Sequence, residues 1–425
     1  MKISVFRFPL LAALVAFSLF AQAPAATDRS YARNPGIPRA LAPIPPADPV
    51  AALIQKIENG SVQLAFDPAT GYLPAVLKAL NIPVESQMAV FSKTSVQADR
   101  IQTSNPRVLF FNDAVTVGWV RGGYVELASH DPRLGVVFYA LDQSPANYRD
   151  RSASATPVSP FTHRQDCLYC HMTSATLGVP GMLLRSVVVS GSGVPLEHTP
   201  QYNTDVRMPF EKLWGGWYVT GNSGPSAHMG NLVAEDEAHG PIHLDSLDAR
   251  CPPNTRLTAY SDIVALMVFE HQARMTNLIT RAGWDARLGK PMGETVNELV
   301  DYMLFTGEAP LKGEIEGTSG FAEVFASRGP RDSKGRSLRD LSLRGRLMRY
   351  PCSYMIYSEA FEALPDIVKD AIYRRLWQIL SGGETSGAYS HLSREDRGAI
   401  VEILRDTKPG LPGYFRTGTT SLPAQ

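Results

Sequence analysis

Val108-Leu109-Phe110-Phe111, Val115-Thr116-Val117-Gly118-Trp119-Val120, Val125-Glu126-Leu127 and Val136-Val137-Phe138-Tyr139 follow one another closely. Short turn signals separate them: Asn112-Asp113, Gly122-Gly123 and His130-Asp131-Pro132. Runs rich in β-branched and aromatic residues, bounded by Asn, Asp, Gly and Pro, predict antiparallel strands joined by short turns. The strand signal begins near Met88. Arg185 to Ser190 (RSVVVS), closed by Gly191-Ser192-Gly193, adds another run. Beyond about residue 250 the pattern changes to helical periodicity. The fold class expected is therefore α+β, a β-rich N-terminal half followed by a mainly helical C-terminal half.

Just beyond these strands stand Cys167-Leu168-Tyr169-Cys170-His171. The spacing C-x-x-C-H is the attachment signature of a c-type haem. Two thiols two residues apart form thioethers to the two vinyl groups of one porphyrin, and the adjacent imidazole coordinates the iron. A single motif predicts a single haem c, held by Cys167 and Cys170 with His171 as axial ligand. A zinc ribbon would need a second C-x-x-C pair, and the four cysteines do not supply one. A thioredoxin-like redox pair would need a βαβ context, with the following histidine incidental.

At these five residues the chain resembles the c-type cytochromes. The stretches FTHRQDCLYCHMTSATLGVPG (161–181), WGGWYVTGNSG (214–224), SDIVALMVFEHQARMTNLITRA (261–282) and YPCSYMIYSEAF (350–361) are similar to those of large secreted bacterial monohaem proteins. That resemblance spans most of the chain and implies haem attachment without naming a reaction. The minimal cytochrome c fold is not expected. That fold carries its motif near the start of a small helical domain, whereas here a long β-rich segment precedes it.

The N-terminus supports a compartment in which haem is attached. Lys2 and Arg7 precede an uncharged apolar run from Phe8 to Phe20, followed by Ala21-Gln22-Ala23-Pro24-Ala25-Ala26. This is the pattern of a secretory signal spanning 1–25, cleaved after Ala25. The run is too short to cross a bilayer, and no later stretch is long and apolar enough. The mature protein is expected to be periplasmic or secreted, with no membrane span. Lys and Arg number 41 against 41 Asp and Glu. With no net charge, nothing points to nucleic acid or an anionic membrane.

Residues 26–49 hold Pro35, Pro38, Pro43, Pro45, Pro46 and Pro49 and read as an extended linker rather than a packed element. The β-rich haem region is expected over 50–250, opened by a short amphipathic helix at Val50, Leu53, Ile54 and Ile57 and a second near Tyr72–Leu80. A helical region follows over 251–425. Its first helix is expected from about Tyr260 to Ala282, capped by Ser261 or Asp262 and ended by Gly283. Further helices are expected at 292–305, 353–364, 366–380 and 393–405. Cys251 and Cys352 remain after haem attachment. In an oxidising compartment they are expected to form a disulfide.

The second axial ligand is not marked by any motif. His228, Met208 and His271 are the leading candidates; Met182 and Met229 are further ones, and Met172 lies too close to the proximal ligand. Pro209 to Gly230 combines Trp214, Trp217 and Tyr218 with Gly, which suits either the wall of a flat cofactor or a tight β-turn region. His271, Arg274 and Asn277 share one side of the expected helix, as a distal haem wall, as propionate contacts or as a polar inter-helix face. Eight Lys or Arg between Arg328 and Arg349 form a basic run, suited to an acidic redox partner or to a solvated loop. Electron transfer by a six-coordinate haem needs the fewest assumptions. The alternative is a peroxidase- or oxygenase-type enzyme with an open distal site, for which His228, Glu270, His271 and Arg274 are polar candidates. Neither the redox partner nor a small-molecule substrate is legible.

Overall fold

The computed structural model describes residues 37–38, 41, 45–143, 160–234, 241–244, 247, 251–384 and 386–417. The expected signal segment and residues 144–159 lie outside these residues.

The first helix, α1 (Pro49–Glu58), starts where its sequence dictates. Pro49 sits in the first turn, where a missing N–H costs nothing, and Asp48 caps it. Asp48 Oδ1 accepts from the N–H groups of Val50 and Ala51 at 2.9 and 3.2 Å. Its other oxygen accepts from the Tyr139 hydroxyl at 2.6 Å, which ties the helix start to the sheet. The Pro-rich stretch before it is not wholly an unpacked linker. Ile37 and Leu41 are buried in the same core as Leu53 and Tyr139. Proline fixes the backbone of such a stretch but leaves neighbouring apolar side chains free to dock. A second helix, α2 (Leu73–Ala79), covers the same side.

The Arg185 run pairs separately, while the strands expected between Met88 and Tyr139 join one antiparallel sheet. Its members are β1 (Met88–Val90), β2 (Arg107–Phe111), β3 (Val115–Trp119), β4 (Val125–Asp131), β5 (Gly135–Leu141) and β6 (Phe161–His163). After β6 the chain makes a single helical turn, α3 (Leu168–His171), and a hairpin of β7 (Arg185–Val187) and β8 (Gln201–Asn203). It then returns as β9 (Trp217–Tyr218), which pairs Ala89 with Tyr218 and Val90 with Trp217. The sheet thus has seven strands in the order β6-β5-β4-β3-β2-β1-β9. A hairpin of β10 (Leu232–Ala234) and β11 (Pro241–His243) closes the first half.

Both faces of the sheet are covered, and the two-residue period shows it. Val108 and Phe110 pack with α1 and α2, while Leu109 and Phe111 pack with the helical half. That half is organised on α4 (Ile263–Arg287), with Asp262 as its cap. Asp262 Oδ1 accepts from Val264 and Ala265, and its Oδ2 from Thr318, Ser319 and the Ser319 hydroxyl. Nearly every residue of α4 is buried, as expected of a helix that other elements surround. Phe269 meets Phe111 of the sheet with ring centroids 4.9 Å apart. Gly283 does not end α4 as its sequence suggests. A side chain there would press within 2.7 Å of Arg287 and 3.2 Å of Leu364, so the glycine serves close packing.

After α4 come α5 (Gly293–Met303), α6 (Phe321–Ser327), a hairpin of β12 (Leu341–Arg344) and β13 (Arg346–Met348), α7 (Glu359–Glu362), α8 (Asp366–Leu380), α9 (Arg394–Thr407) and α10 (Tyr414–Thr417); α5, α6, α7 and α8 pack on α4. The α+β architecture expected from the sequence is present, a β-rich half and a mainly helical half. The halves share a core, since Met88, Val90, Leu109, Phe111 and Trp217 pack among the helices. Among the described residues no helix is long and apolar enough to cross a membrane.

The expected disulfide is not formed. Cys251 lies in the core between the sheet and the N-terminal helices, its Sγ 3.1 Å from the Thr103 carbonyl. Cys352 lies in the helical core, where burial pushes its thiol up to about 12. Parity and compartment predict pairing, but the fold carries the two thiols into different cores.

Candidate haem-attachment site

The attachment motif occupies one turn of helix. Cys167 is the N-cap residue of α3 and Met172 its C-cap. The turn closes through His171 N–H to the Cys167 carbonyl (3.0 Å) and Met172 N–H to the Leu168 carbonyl (3.0 Å). Residues three apart on a helix share a side, so this turn brings Cys167 and Cys170 to one side with His171 following directly. Leu168 anchors the turn in the core, at 5 % exposure. Cys170 is exposed, and Tyr169, between the thiols, is 88 % exposed. The motif therefore stands at the surface on a buried foot.

The histidine is held through one ring nitrogen. Its Nδ1 lies 2.9 Å from the Gly181 carbonyl oxygen. A carbonyl can only accept, so Nδ1 carries the proton and Nε2 keeps its lone pair, the state a metal ligand requires. The ring rests against Phe138 of β5, centroids 4.8 Å apart. Burial holds the imidazole below its ordinary pKa against the opposing pull of the Gly181 bond, so the neutral form dominates near pH 7. Burial, helped by Asp166, pushes the Cys167 thiol up to about 12. Asp166 itself pairs with Arg164 at 2.6 Å, and Arg164 lies over the Tyr124 ring.

The segment that delivers the Gly181 carbonyl is fixed from three sides. Thr173 and Thr176 close a reciprocal cap on its first turn. Val136 N–H of the sheet donates to the Pro180 carbonyl at 2.9 Å. From α4, Asn277 takes both backbone groups of Met182: its Oδ1 accepts from the Met182 N–H and its Nδ2 donates to the Met182 carbonyl, each at 2.8 Å. Arg281 Nη1 donates to the Leu177 carbonyl at 3.0 Å. Of the roles the sequence leaves open for Asn277 (a distal wall, propionate contacts or a polar inter-helix face), the structure shows a polar contact between segments, on the backbone that carries the partner of His171 Nδ1. Gly181 was passed over, although Gly178, Pro180 and Gly181 follow the motif closely enough to mark a turn held against something.

A haem c needs two thiols on one side of a turn and an imidazole whose outer nitrogen is free while the inner one is held. Cys167, Cys170 and His171 supply that set.

None of the leading second-ligand candidates joins it. His271 is fully buried in the helical core, its Nε2 2.7 Å from Ser353 Oγ and its ring stacked on Phe305 at 4.3 Å. Burial pushes it down to about 3. Met208 lines a cavity of about 20 Å³ with Glu270, Glu308 and Met267. His228 sits against Trp214, centroids 5.3 Å apart, and burial with nearby His243 pushes it down to about 4. Met229 accepts from the Ser186 hydroxyl, and Met182 belongs to the segment behind His171. Among the alternative polar set, Glu270 is bonded by Thr204 and Arg274 pairs with Glu298.

The Trp214–Gly224 stretch serves packing. A side chain on Gly215 would stand 2.6 Å from the Val187 carbonyl, and one on Gly216 2.7 Å from Ser92, so these glycines let three backbone segments meet. The basic run at 328–349 is largely spent on internal pairs: Arg331 with Asp340, Arg336 with Asp332 and Glu402, Arg339 with Asp113, and Arg346 with Asp396.

No protein-family model matches the chain, no curated protein is similar to it, and no solved structure matches it.

Proposed function

We propose that the chain is a c-type cytochrome that binds one haem c through Cys167 and Cys170, uses His171 as axial ligand and transfers electrons. The observation that carries this reading is the His171 imidazole, fixed by Gly181 with Nε2 left for iron, one residue from an exposed thiol. The haem, once attached, supplies the one-electron chemistry. The chain supplies a neutral imidazole, two anchoring thiols and a surface position from which a partner can be reached. Secretion to the periplasm or beyond fits both the N-terminal segment and the covalent attachment.

A specific observation favours a second reading. His271 is held in the helical core by Ser353 and Phe305, His228 packs on Trp214 and Met208 packs on the helical core, which favours an iron whose second axial position is open. An open position would permit peroxidase- or oxygenase-type chemistry on a small molecule.

The absorption spectrum of the purified holoprotein, oxidised and reduced, with and without carbon monoxide, separates the two. A low-spin spectrum indifferent to carbon monoxide supports electron transfer with two protein ligands. A high-spin ferric spectrum with carbon monoxide binding on reduction overturns that form and makes peroxide turnover the next assay. A protein secreted by a haem-attaching host without covalent haem overturns both.

A further inference from the structure

His171 is reached from the helical half through a short chain of contacts. Asn277 of α4 is only 2 % exposed, and both ends of its amide are engaged by the backbone of one residue, Met182. The neighbouring carbonyl, that of Gly181, accepts from His171 Nδ1. Gly181 N–H in turn donates to the His171 carbonyl at 2.8 Å, so the two segments hold each other at two points. Contact between amide and loop is close. A side chain on Gly181 would meet Asn277 Oδ1 at 2.2 Å. On a helix, residue 277 is set by the whole of α4, which is capped at Asp262, packed against the sheet and buried along most of its length.

We propose that Asn277 is a positioning residue for the axial histidine: by clamping the Met182 peptide it fixes the Gly181 carbonyl, and so the orientation and basicity of the His171 imidazole toward iron. The inference rests on the proposed haem attachment and goes beyond it, because it assigns the tuning of the ligand to a residue on the other half of the chain. The physical reason is general. A ligating imidazole whose second nitrogen donates to a fixed acceptor is a stronger and better oriented ligand, and loss of such an outer partner typically costs about 10- to 100-fold in affinity. Asn is suited to the task because its amide offers one acceptor and two donors, so it can satisfy a peptide N–H and C=O together.

The test uses the full-length holoprotein and the variants N277D and N277L. Asp keeps the acceptor for the Met182 N–H and loses the donor; Leu loses both at similar volume. Covalent haem is first measured in each by the alkaline pyridine spectrum, a readout that reports on Cys167 and Cys170 and not on the clamp. The reduction potential is then measured, with the midpoint of acid-induced loss of the axial ligand. Protons compete with iron for Nε2, so a tenfold weaker bond moves that midpoint up by about one pH unit. The expected order is wild type lowest, N277D between and N277L highest for both the acid midpoint and the potential, at unchanged covalent haem content. Should N277L fail to accumulate, N277S, which also removes the bidentate amide, takes its place in the series. Equal potentials and acid midpoints in wild type and variants overturn the proposal while leaving haem attachment intact. Absence of pyridine-detectable haem in the wild type overturns the attachment reading and the proposal with it.

Discussion

The molecule contains two concentrations of titratable side chains that look alike in sequence and differ in what they can do. One is the turn Cys167–His171 with its supporting carbonyl. The other is the polar knot of the helical half, with Thr204, Glu270, His271, Arg274 and Glu298. In the first, a single helical turn carries one exposed thiol, one half-buried thiol and a half-buried imidazole, and only Nδ1 of the histidine is bonded by the protein. In the second, each side chain is spent inward: Glu270 on Thr204, His271 on Ser353 and two aromatic rings, Arg274 on Glu298. Residue type alone nominates both regions as ligand sources. What separates them is access: the Cys170 thiol reaches the surface, whereas His271, whose Nδ1 keeps no hydrogen-bond partner, is sealed in the helical core.

The sharpest break between the regions is a pair of substitutions with opposite readouts. Replacing Cys167 and Cys170 by Ser removes both attachment atoms at a surface turn whose foot, Leu168, is untouched. We expect covalent haem to fall to nothing by the pyridine spectrum, while the helical content by circular dichroism remains. Substitution of His271 by Ala should do the reverse. It deletes a buried ring between Tyr302 and Phe305 and strands the Ser353 hydroxyl, so a loss of about 3 kcal/mol is expected in denaturant unfolding. The haem spectrum of H271A should match the wild type. A low-spin to high-spin change in H271A would show instead that His271 is the second ligand, and the separation of the two regions would fail.

Much of the architecture was legible because it is local. The alternation of Val108 and Phe110 with Leu109 and Phe111, between turns at Asn112-Asp113 and Gly122-Gly123, gives strands their faces and their ends. The attachment turn is legible for the same reason, since five consecutive residues contain all of it. What was not legible depends on distant pairing. Strand β9 is two residues long and finds β1 from far along the chain, so no period announces it. Asn277 meets Met182 across 95 positions, and a buried Asn on a helix reads equally well as any polar contact. The disulfide expectation failed because the cysteine count says nothing about which core each thiol enters. The linker expectation failed at Ile37 and Leu41 because proline content describes the backbone and not where the intervening apolar side chains go.

The smaller effect is a pH dependence, and its sign follows from burial in the polar knot. Removal from water pushes the Glu270 carboxyl up to about 8, with Asp205 adding to the rise and Thr204 opposing it. In the unfolded chain the same group titrates near the ordinary 4.5. Between these values the native state keeps a proton that the unfolded state has released. Stability from this group is therefore whole below about 4.5 and falls as the pH rises toward 8, by at most about 1.4 kcal/mol per unit. Glu308, pushed up to about 7 by burial on the same cavity, acts in the same direction. His271 acts oppositely, since its lowered value makes acid destabilising below its ordinary 6.5. Gln at position 270 keeps the shape of the protonated acid and cannot ionise. E270Q should thus match the wild type in urea midpoint near pH 4, exceed it near pH 9, and retain only the shallower slope that Glu308 leaves. Parallel pH profiles for the two proteins would mean that Glu270 already titrates as an ordinary carboxyl and that the knot is open to water. The turn Cys167–His171, by contrast, holds no carboxyl, so the difference between E270Q and wild type should be the same with Cys167 and Cys170 in place or replaced by Ser.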